Sequence, residues 1–120
     1  MPNRVLKQGD YLIGIIGETS TDAQLASFAT TLGDEVGRHR SRAVIVDVGE
    51  LKVIDSFTAR MLSQIATTVS LRGARPVVVG IQPEVAFAMV RLGLHLDRVA
   101  TALDLDAGLE LVDARFQHAG

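Results

Sequence analysis

The chain has 120 residues, with 12 basic and 14 acidic side chains, a formal net charge of −2 and no cysteine. This length fits a single domain, residues 1–120, and the lack of cysteine excludes disulfides and thiolate metal sites. Charges of both signs are interspersed without a basic block, which argues against nucleic-acid binding.

Short apolar runs alternate with helical patterns, which is typical of the α/β class. The segments "RVLK" and "YLIGII" flank the turn "QGD" and predict an N-terminal hairpin. Next, Thr21 and Gln24 have the spacing of a capping box at the start of a helix. One face of that helix is apolar and consists of Leu25, Phe28, Leu32 and Val36.

Two continuous apolar runs predict interior strands buried on both faces, namely "AVIVDV" (Ala43–Val48) and "RPVVVGI" (Arg75–Ile81). Between them lies an amphipathic helix that begins near Ser56. Its apolar stripe, at helical spacing, contains Phe57, Met61, Leu62, Ile65, Ala66 and Val69.

The last third of the chain predicts two helices around a short strand. Pro83 suits the first position of the first helix, and Gly93 is expected to stop it. The strand is expected at Arg98–Ala100. A final helix starts near Asp104 and buries Leu105, Leu109, Val112 and Phe116. We therefore predict a mixed, mostly parallel sheet of about four to five strands with about four packed helices.

The chain shows neither a signal peptide nor a run of ~20 apolar residues, so we expect a soluble cytoplasmic protein without membrane contact. Hydrophobic residues make up 48% of the chain but aromatic residues only 4%, which indicates an aliphatic core. Such a high apolar content in a small protein suggests that part of the apolar surface binds partners.

The common enzyme signatures are missing, so we expect no enzyme activity and no cofactor. The sequence has neither a G-x-G-x-x-G motif nor a Walker lysine loop, and "GETSTD" lacks the last glycine of a hydrolase nucleophile elbow. His39, His95 and His118 are scattered, and we interpret them as surface residues rather than metal ligands.

Asp47 is one candidate for phosphoryl chemistry, because it closes an apolar strand at the edge where α/β sheets bind ligands. An aspartate there accepts phosphate in two-component receiver domains. Those domains also carry an acidic pair after the first strand and a lysine after the last. Here only Gly17 and a single Glu18 follow the earlier strand, so we favour Asp47 as the cap of the next turn.

Ser56 is the second candidate, in the stretch "VIDSFTARML". Either Ser56 or Asp55 can be the helix N-cap, which would contribute about 1 kcal/mol. Alternatively, the hydroxyl is displayed beside free N–H groups at the positive end of the helix dipole, where a phosphate is tolerated. Both interpretations can hold for the same hydroxyl. Phosphate would add about −1.5 to −2 charges and repel a partner docked there.

Three stretches together resemble the STAS domain of anti-sigma factor antagonists, in order and over nearly the whole chain: "VIVDVGELKVIDSFTARML", "GARPVVVGIQPEVAFAMVRLG" and "ATALDLDAGLELV". The stretches "GIQPEVA" and "TALDLDAGLE" are similar to the branch formed by stressosome scaffolds of the RsbS type. Asp55 and Ser56 match the family's phospho-acceptor motif, with Ser56 at the position of the acceptor serine.

The resemblance implies a scaffold that assembles with itself and with STAS-containing sensor paralogues. The complex sequesters a serine/threonine kinase of the small anti-sigma type and releases it once the kinase has phosphorylated Ser56. A cognate phosphatase resets the serine. A second possibility in the same family is a lone antagonist that binds an anti-sigma kinase one-to-one.

The predicted kinase-facing residues follow from the same resemblance. Thr58 and Arg60 are expected on the exposed side of the first helical turn, beside Asp55. Gly80, Gln82 and Glu84 lie where a strand meets a helix, and Gly80 is expected to be a turn residue first. Thr67 and Thr68, which are further along the polar face, are interpreted as solvated surface.

Overall fold

The computed structural model describes residues 3–94, 96 and 99–119, with backbone alone from residue 114 on. Within these residues, strands and helices follow the predicted order: β1 (Arg4–Gln8), β2 (Tyr11–Ile15), α1 (Asp22–His39), β3 (Ala43–Asp47), α2 (Ser56–Leu71), β4 (Arg75–Val79), α3 (Pro83–Arg91), β5 (Ala100–Ala102) and α4 (Leu105–Ala119).

The strands form one sheet in the order β1-β2-β3-β4-β5. β1 and β2 pair antiparallel, and each later neighbour pairs parallel. The prediction of a mixed, mostly parallel sheet with an N-terminal hairpin is therefore confirmed. No helix in the described ranges is both long enough and apolar enough to cross a bilayer.

The two faces of the sheet are covered by different helices, because side chains alternate along each strand. On one face, Val44, Val46 and Val78 pack with buried residues of α1, α2 and α3. On the other, Ile45 and Val77 pack with α4. The interior strands β3 and β4 are thus buried on both sides, as their continuous apolar runs predicted.

Helix boundaries follow the capping residues that the sequence offered. The capping box of α1 is present, since Thr21 Oγ1 accepts from the Gln24 backbone N–H and Gln24 Oε1 accepts from the Thr21 N–H. Pro83 occupies the first position of α3. Gly93 follows the end of α3 with φ +74°, the left-handed conformation expected of a helix stop.

The last strand lies two residues later than predicted. β5 runs from Ala100 to Ala102, where it pairs with Val77–Val79 of β4. The apolar Val99, which had suggested an earlier strand, instead packs against the larger core as a partly buried residue. Arg98, the predicted first residue, lies outside the described residues.

Some predicted core residues are less buried than their spacing suggested. Phe57 is only partly buried, because it is the second residue of α2 and lies at the end of the helix, next to the loop. On α4, Val112 is buried, whereas Leu105 and Leu109 are half-buried. The side chain of Phe116 lies outside the described part.

Candidate functional site

The predicted acceptor, Ser56, lies at the junction between the β3–α2 loop, residues 48–55, and the first turn of α2. Asp55 has extended backbone angles (φ −103°, ψ 176°), and its Oδ1 accepts a hydrogen bond from the Thr58 backbone N–H at 2.8 Å. Asp55 is therefore the N-cap, and Ser56 is the first helical residue. Of the two capping residues that the sequence allowed, the structure selects Asp55.

Because Asp55 provides the cap, the hydroxyl of Ser56 is left available. Ser56 is exposed, and its side chain has no hydrogen-bond partner among the described residues. The first turn of α2 contains no acidic side chain, so the positive end of the helix dipole is not offset from within the helix. The hydroxyl is thus accessible to another macromolecule and lies at the positive end of the α2 dipole.

Asp55 is ionised at neutral pH. Hydrogen bonds from the Thr58 backbone N–H, and then from the Thr58 hydroxyl, lower the pKa of the Asp55 carboxyl below its ordinary value. Asp55 therefore adds a fixed negative charge beside Ser56, and a phosphate on Ser56 would join a surface that is already acidic.

A cleft beside the cap brings two loops together. Ile16, Gly17, Glu18 and Ser20 of the β2–α1 loop line it, opposite Leu51, Val53, Ile54, Asp55 and Thr58. Lys52 and Glu18 form an exposed ion pair across the loops at 3.6 Å, a contact that contributes little to stability. Val53, 81% exposed, adds an apolar side chain to this surface. Sequence reasoning missed this pair and Val53, because only the fold brings the two loops together.

Gly80 and Gln82 are located against the loop that leads to Ser56. Gly80 has φ +79°, and its backbone lies so close to Gly49 that a Cβ would stand 3.1 Å from the Gly49 Cα. Gln82 Nε2 donates a hydrogen bond to the Gly49 carbonyl at 2.8 Å. Gly80 thus has the left-handed backbone conformation that favours glycine. Gln82 braces the β3–α2 loop, a role that the sequence did not suggest.

Asp47 has a structural partner of the kind that the turn-cap interpretation predicted. Its Oδ1 accepts a hydrogen bond from the Gly49 backbone N–H at 2.8 Å. The half-buried carboxylate thereby stabilises the start of the β3–α2 loop. In the ranges described, no group of three or more histidine or acidic side chains is arranged to hold a metal ion.

The remaining predicted residues are spread over the exposed surfaces of α2 and α3. Thr58 is partly exposed and Arg60 is exposed, both near the start of the helix that carries Ser56. Thr67 and Thr68 are exposed but lie about 16 Å or more further along the helix axis, as expected of solvated surface. Glu84 is exposed on α3.

Comparisons with known proteins agree with the resemblance seen in the sequence. The family model described as "STAS domain" matches residues 6–107. RsbT co-antagonist protein RsbRA of Bacillus subtilis is 35% identical over 89 residues, which are 71% of this chain but 32% of RsbRA. The chain thus spans about a third of the length of that curated relative.

Two solved structures are similar in both sequence and shape. A Moorella thermoacetica RsbS variant with a serine-to-glutamate substitution has 30% identity and a TM-score of 0.88, covering 98% of this chain and 99% of its own. A chain of the solved stressosome structure has 32% identity and a TM-score of 0.82, and the match covers 92% of this chain and 96% of the stressosome chain. The anti-sigma factor antagonist SpoIIAA, at 8% identity and a TM-score of 0.69, shares the fold. The chain therefore belongs to the STAS domain family, as a member of the RsbS type found in stressosomes.

Proposed function

We propose that the chain, acting as one STAS domain over residues 1–120, is a non-enzymatic scaffold in a bacterial stress-signalling complex. In this complex it holds a serine/threonine kinase and releases it when Ser56 is phosphorylated. The observation that carries the proposal is the exposed Ser56 hydroxyl, which has no hydrogen-bond partner in the described ranges and lies at the first position of a helix whose N-cap is Asp55. Identities of 30–35% to stressosome proteins support this role over that of a lone antagonist.

The chemistry would be supplied by the kinase and its Mg·ATP. The Ser56 oxygen attacks the γ-phosphorus, the bond between that phosphorus and the β,γ-bridging oxygen breaks, ADP leaves, and the hydroxyl proton passes to a base of the kinase. The chain contributes a pre-positioned acceptor. The α2 cap and the Gln82–Gly49 hydrogen bond hold the loop on either side of the reacting group.

Phosphorylation would change the surface without unfolding the domain. The phosphate gains from the free N–H groups and dipole of α2, so the domain itself tolerates the new charge. A partner docked over Ser56 would meet about −1.5 to −2 new charges beside ionised Asp55, next to exposed apolar Val53. The partner would be repelled, and the phosphate would have to lose its hydration, only in the complex. Phosphorylation would therefore destabilise the complex rather than the fold. A cognate phosphatase would restore the neutral surface.

The kinase contacts proposed around this centre are Asp55, Thr58 and Arg60 near the start of α2. Gly80 and Gln82 would lie at the edge of the contact, because they support the loop that leads to Ser56. The further partners are STAS-containing sensor paralogues and other copies of this chain in a cytoplasmic assembly.

Kinase retention tests the proposal. The chain is captured from its source cell with its bound kinase, and the amount of kinase that elutes with it is measured. Ser56→Asp is expected to reduce retention at least about tenfold, which corresponds to about 1.4 kcal/mol. Ser63→Asp, at another exposed serine of the same helix, is the matched control and should retain the kinase. Equal retention by the two variants would contradict the proposal.

A further inference from the structure

Arg60 is the one charged side chain of α2, and it lies one helical turn beyond Ser56. Both residues are exposed and they are four positions apart, so they share one face of the helix with their Cβ atoms about 5–6 Å apart. The Arg60 guanidinium forms no ion pair with any described residue. It can therefore meet a new group on the Ser56 oxygen without giving up a partner among those residues.

We propose that Arg60 binds the phosphate on Ser56, and that this pair withdraws from the kinase a cation that the unmodified surface offers it. The planar guanidinium presents paired N–H donors that match two phosphate oxygens at once. An anion four residues before a cation is also the favourable order on a helix, because the anion is then nearer the positive end of the dipole. The inference rests on the proposed function for the arrival of the phosphate, but not for the pairing itself.

The other charged groups of the β3–α2 loop are less suited to hold the phosphate. Lys52 is the one cation of this loop, and its Nζ already lies 3.6 Å from a carboxylate oxygen of Glu18. It would have to leave that partner to reach a phosphate. Glu50 and ionised Asp55 are anions and would repel it. Arg60 is therefore the cation of the loop and α2 that can bind the phosphate at the lowest cost.

The pair would change the surface around Ser56 in two ways. Before phosphorylation, Asp55 and Arg60 contribute one charge of each sign. A phosphate adds about −1.5 to −2 charges, so the surface becomes net negative even though Arg60 offsets one of them. At the same time the Arg60 donors are occupied by phosphate oxygens. The kinase would thus lose an attraction and meet a repulsion as the result of one modification.

Phosphorus NMR of the full chain, with phosphoserine installed at position 56 during its synthesis, tests the pairing without the kinase. Arg60→Gln should raise the pKa of the phosphate by at least about 0.3, because the cation that favours its dianion is lost. Arg60→Lys keeps the charge but not the paired donors, and its phosphate pKa should lie between the two.

Arg91→Gln is the matched control for this titration. Arg91 is also an exposed arginine without an ion pair to any described residue, but it lies on α3 and has no helical relation to Ser56. Its loss should leave the pKa of the phosphate nearly unchanged. Thermal unfolding confirms that each variant is folded. An unchanged pKa in Arg60→Gln, or an equal rise in Arg91→Gln, would overturn the pairing.

A double-mutant cycle on kinase retention tests the withdrawal of Arg60, with aspartate at position 56 in place of the phosphate. Arg60→Gln alone should weaken retention. In that background Ser56→Asp should reduce retention by a factor at least about threefold smaller than in the wild type, because no cation is left to withdraw. Equal factors in both backgrounds would overturn the withdrawal. An unlabelled Ser56 in the presence of the kinase would overturn the switch alone, since the NMR titration does not use the kinase.

Discussion

Replacing Asp55 by alanine removes the cap of α2, and the structure sets the expected loss. The Asp55 Oδ1 accepts the Thr58 N–H at 2.8 Å, and the first turn offers no acidic side chain to replace it. An alanine N-cap is expected to cost about 1 kcal/mol of unfolding free energy. For a domain of this size the midpoint temperature should fall by about 4 °C. Asp55→Asn keeps an oxygen acceptor and should retain most of the stability.

The pH dependence of the same substitution provides an independent check. Because hydrogen bonds from Thr58 lower the pKa of Asp55 in the folded chain, the ionised carboxylate stabilises the fold. This stabilisation is present above the unfolded-state pKa of about 4 and is lost as the pH falls through the lower, folded-state value.

The difference in unfolding free energy between wild type and Asp55→Ala should therefore be largest near neutral pH and shrink below about pH 4. Urea denaturation at several pH values measures it. Equal losses in the alanine and asparagine variants, or a difference that does not shrink in acid, would refute the assignment of Asp55 as the cap.

Three further substitutions probe how the β3–α2 loop and the sheet are packed. The unfolding free energy of each variant is measured by urea denaturation. Gly80→Ala should cost about 1–3 kcal/mol, because φ is +79° and the new Cβ would press on Gly49 at 3.1 Å. Its control, Gly9→Ala, has φ +58° with open space around it and should cost less. Gln82→Ala removes the hydrogen bond to the Gly49 carbonyl and should cost about 1 kcal/mol. Gly108→Ala should destabilise despite the better helix propensity of alanine, because its Cβ would stand 2.6 Å from a β4 valine methyl. A gain in stability for any of the three would contradict the packing described.

Periodicity was enough to predict the order and type of the elements. Strands buried on both faces leave continuous apolar runs, and helices packed on one side leave stripes, so both signals survive in a single sequence. The β5 boundary was less visible. Its position depends on pairing with Val77–Val79 rather than on the apolar Val99 that precedes it.

The sequence indicated which residues belong to the site, but not which of them caps the helix or supports the loop. Both Asp55 and Ser56 are good N-cap residues, and only the extended backbone at Asp55 decides between them. The link from Gln82 to Gly49 spans 33 positions and exists because β3 and β4 are neighbours. Tertiary contacts of this kind leave no local pattern in the sequence.

The α3 surface shows a further limit of local patterns. The helix has apolar residues on two sides, with Val85 and Met89 inward and Phe87 and Val90 outward. Apolar spacing alone does not indicate which side meets the sheet. Because the fold assigns the first side to the core, the second becomes a surface available to a partner.

Site-resolved labelling shows whether Ser56 is the phosphate acceptor that we propose. The chain, its Ser56→Ala variant and a Ser63→Ala control are incubated with the co-purified kinase and labelled ATP, and the phosphate is located by mass spectrometry. We expect acid-stable phosphate on Ser56 in the wild type and in the control, and none in Ser56→Ala. Undiminished label in Ser56→Ala, or an acid-labile label on Asp47, would contradict the proposal.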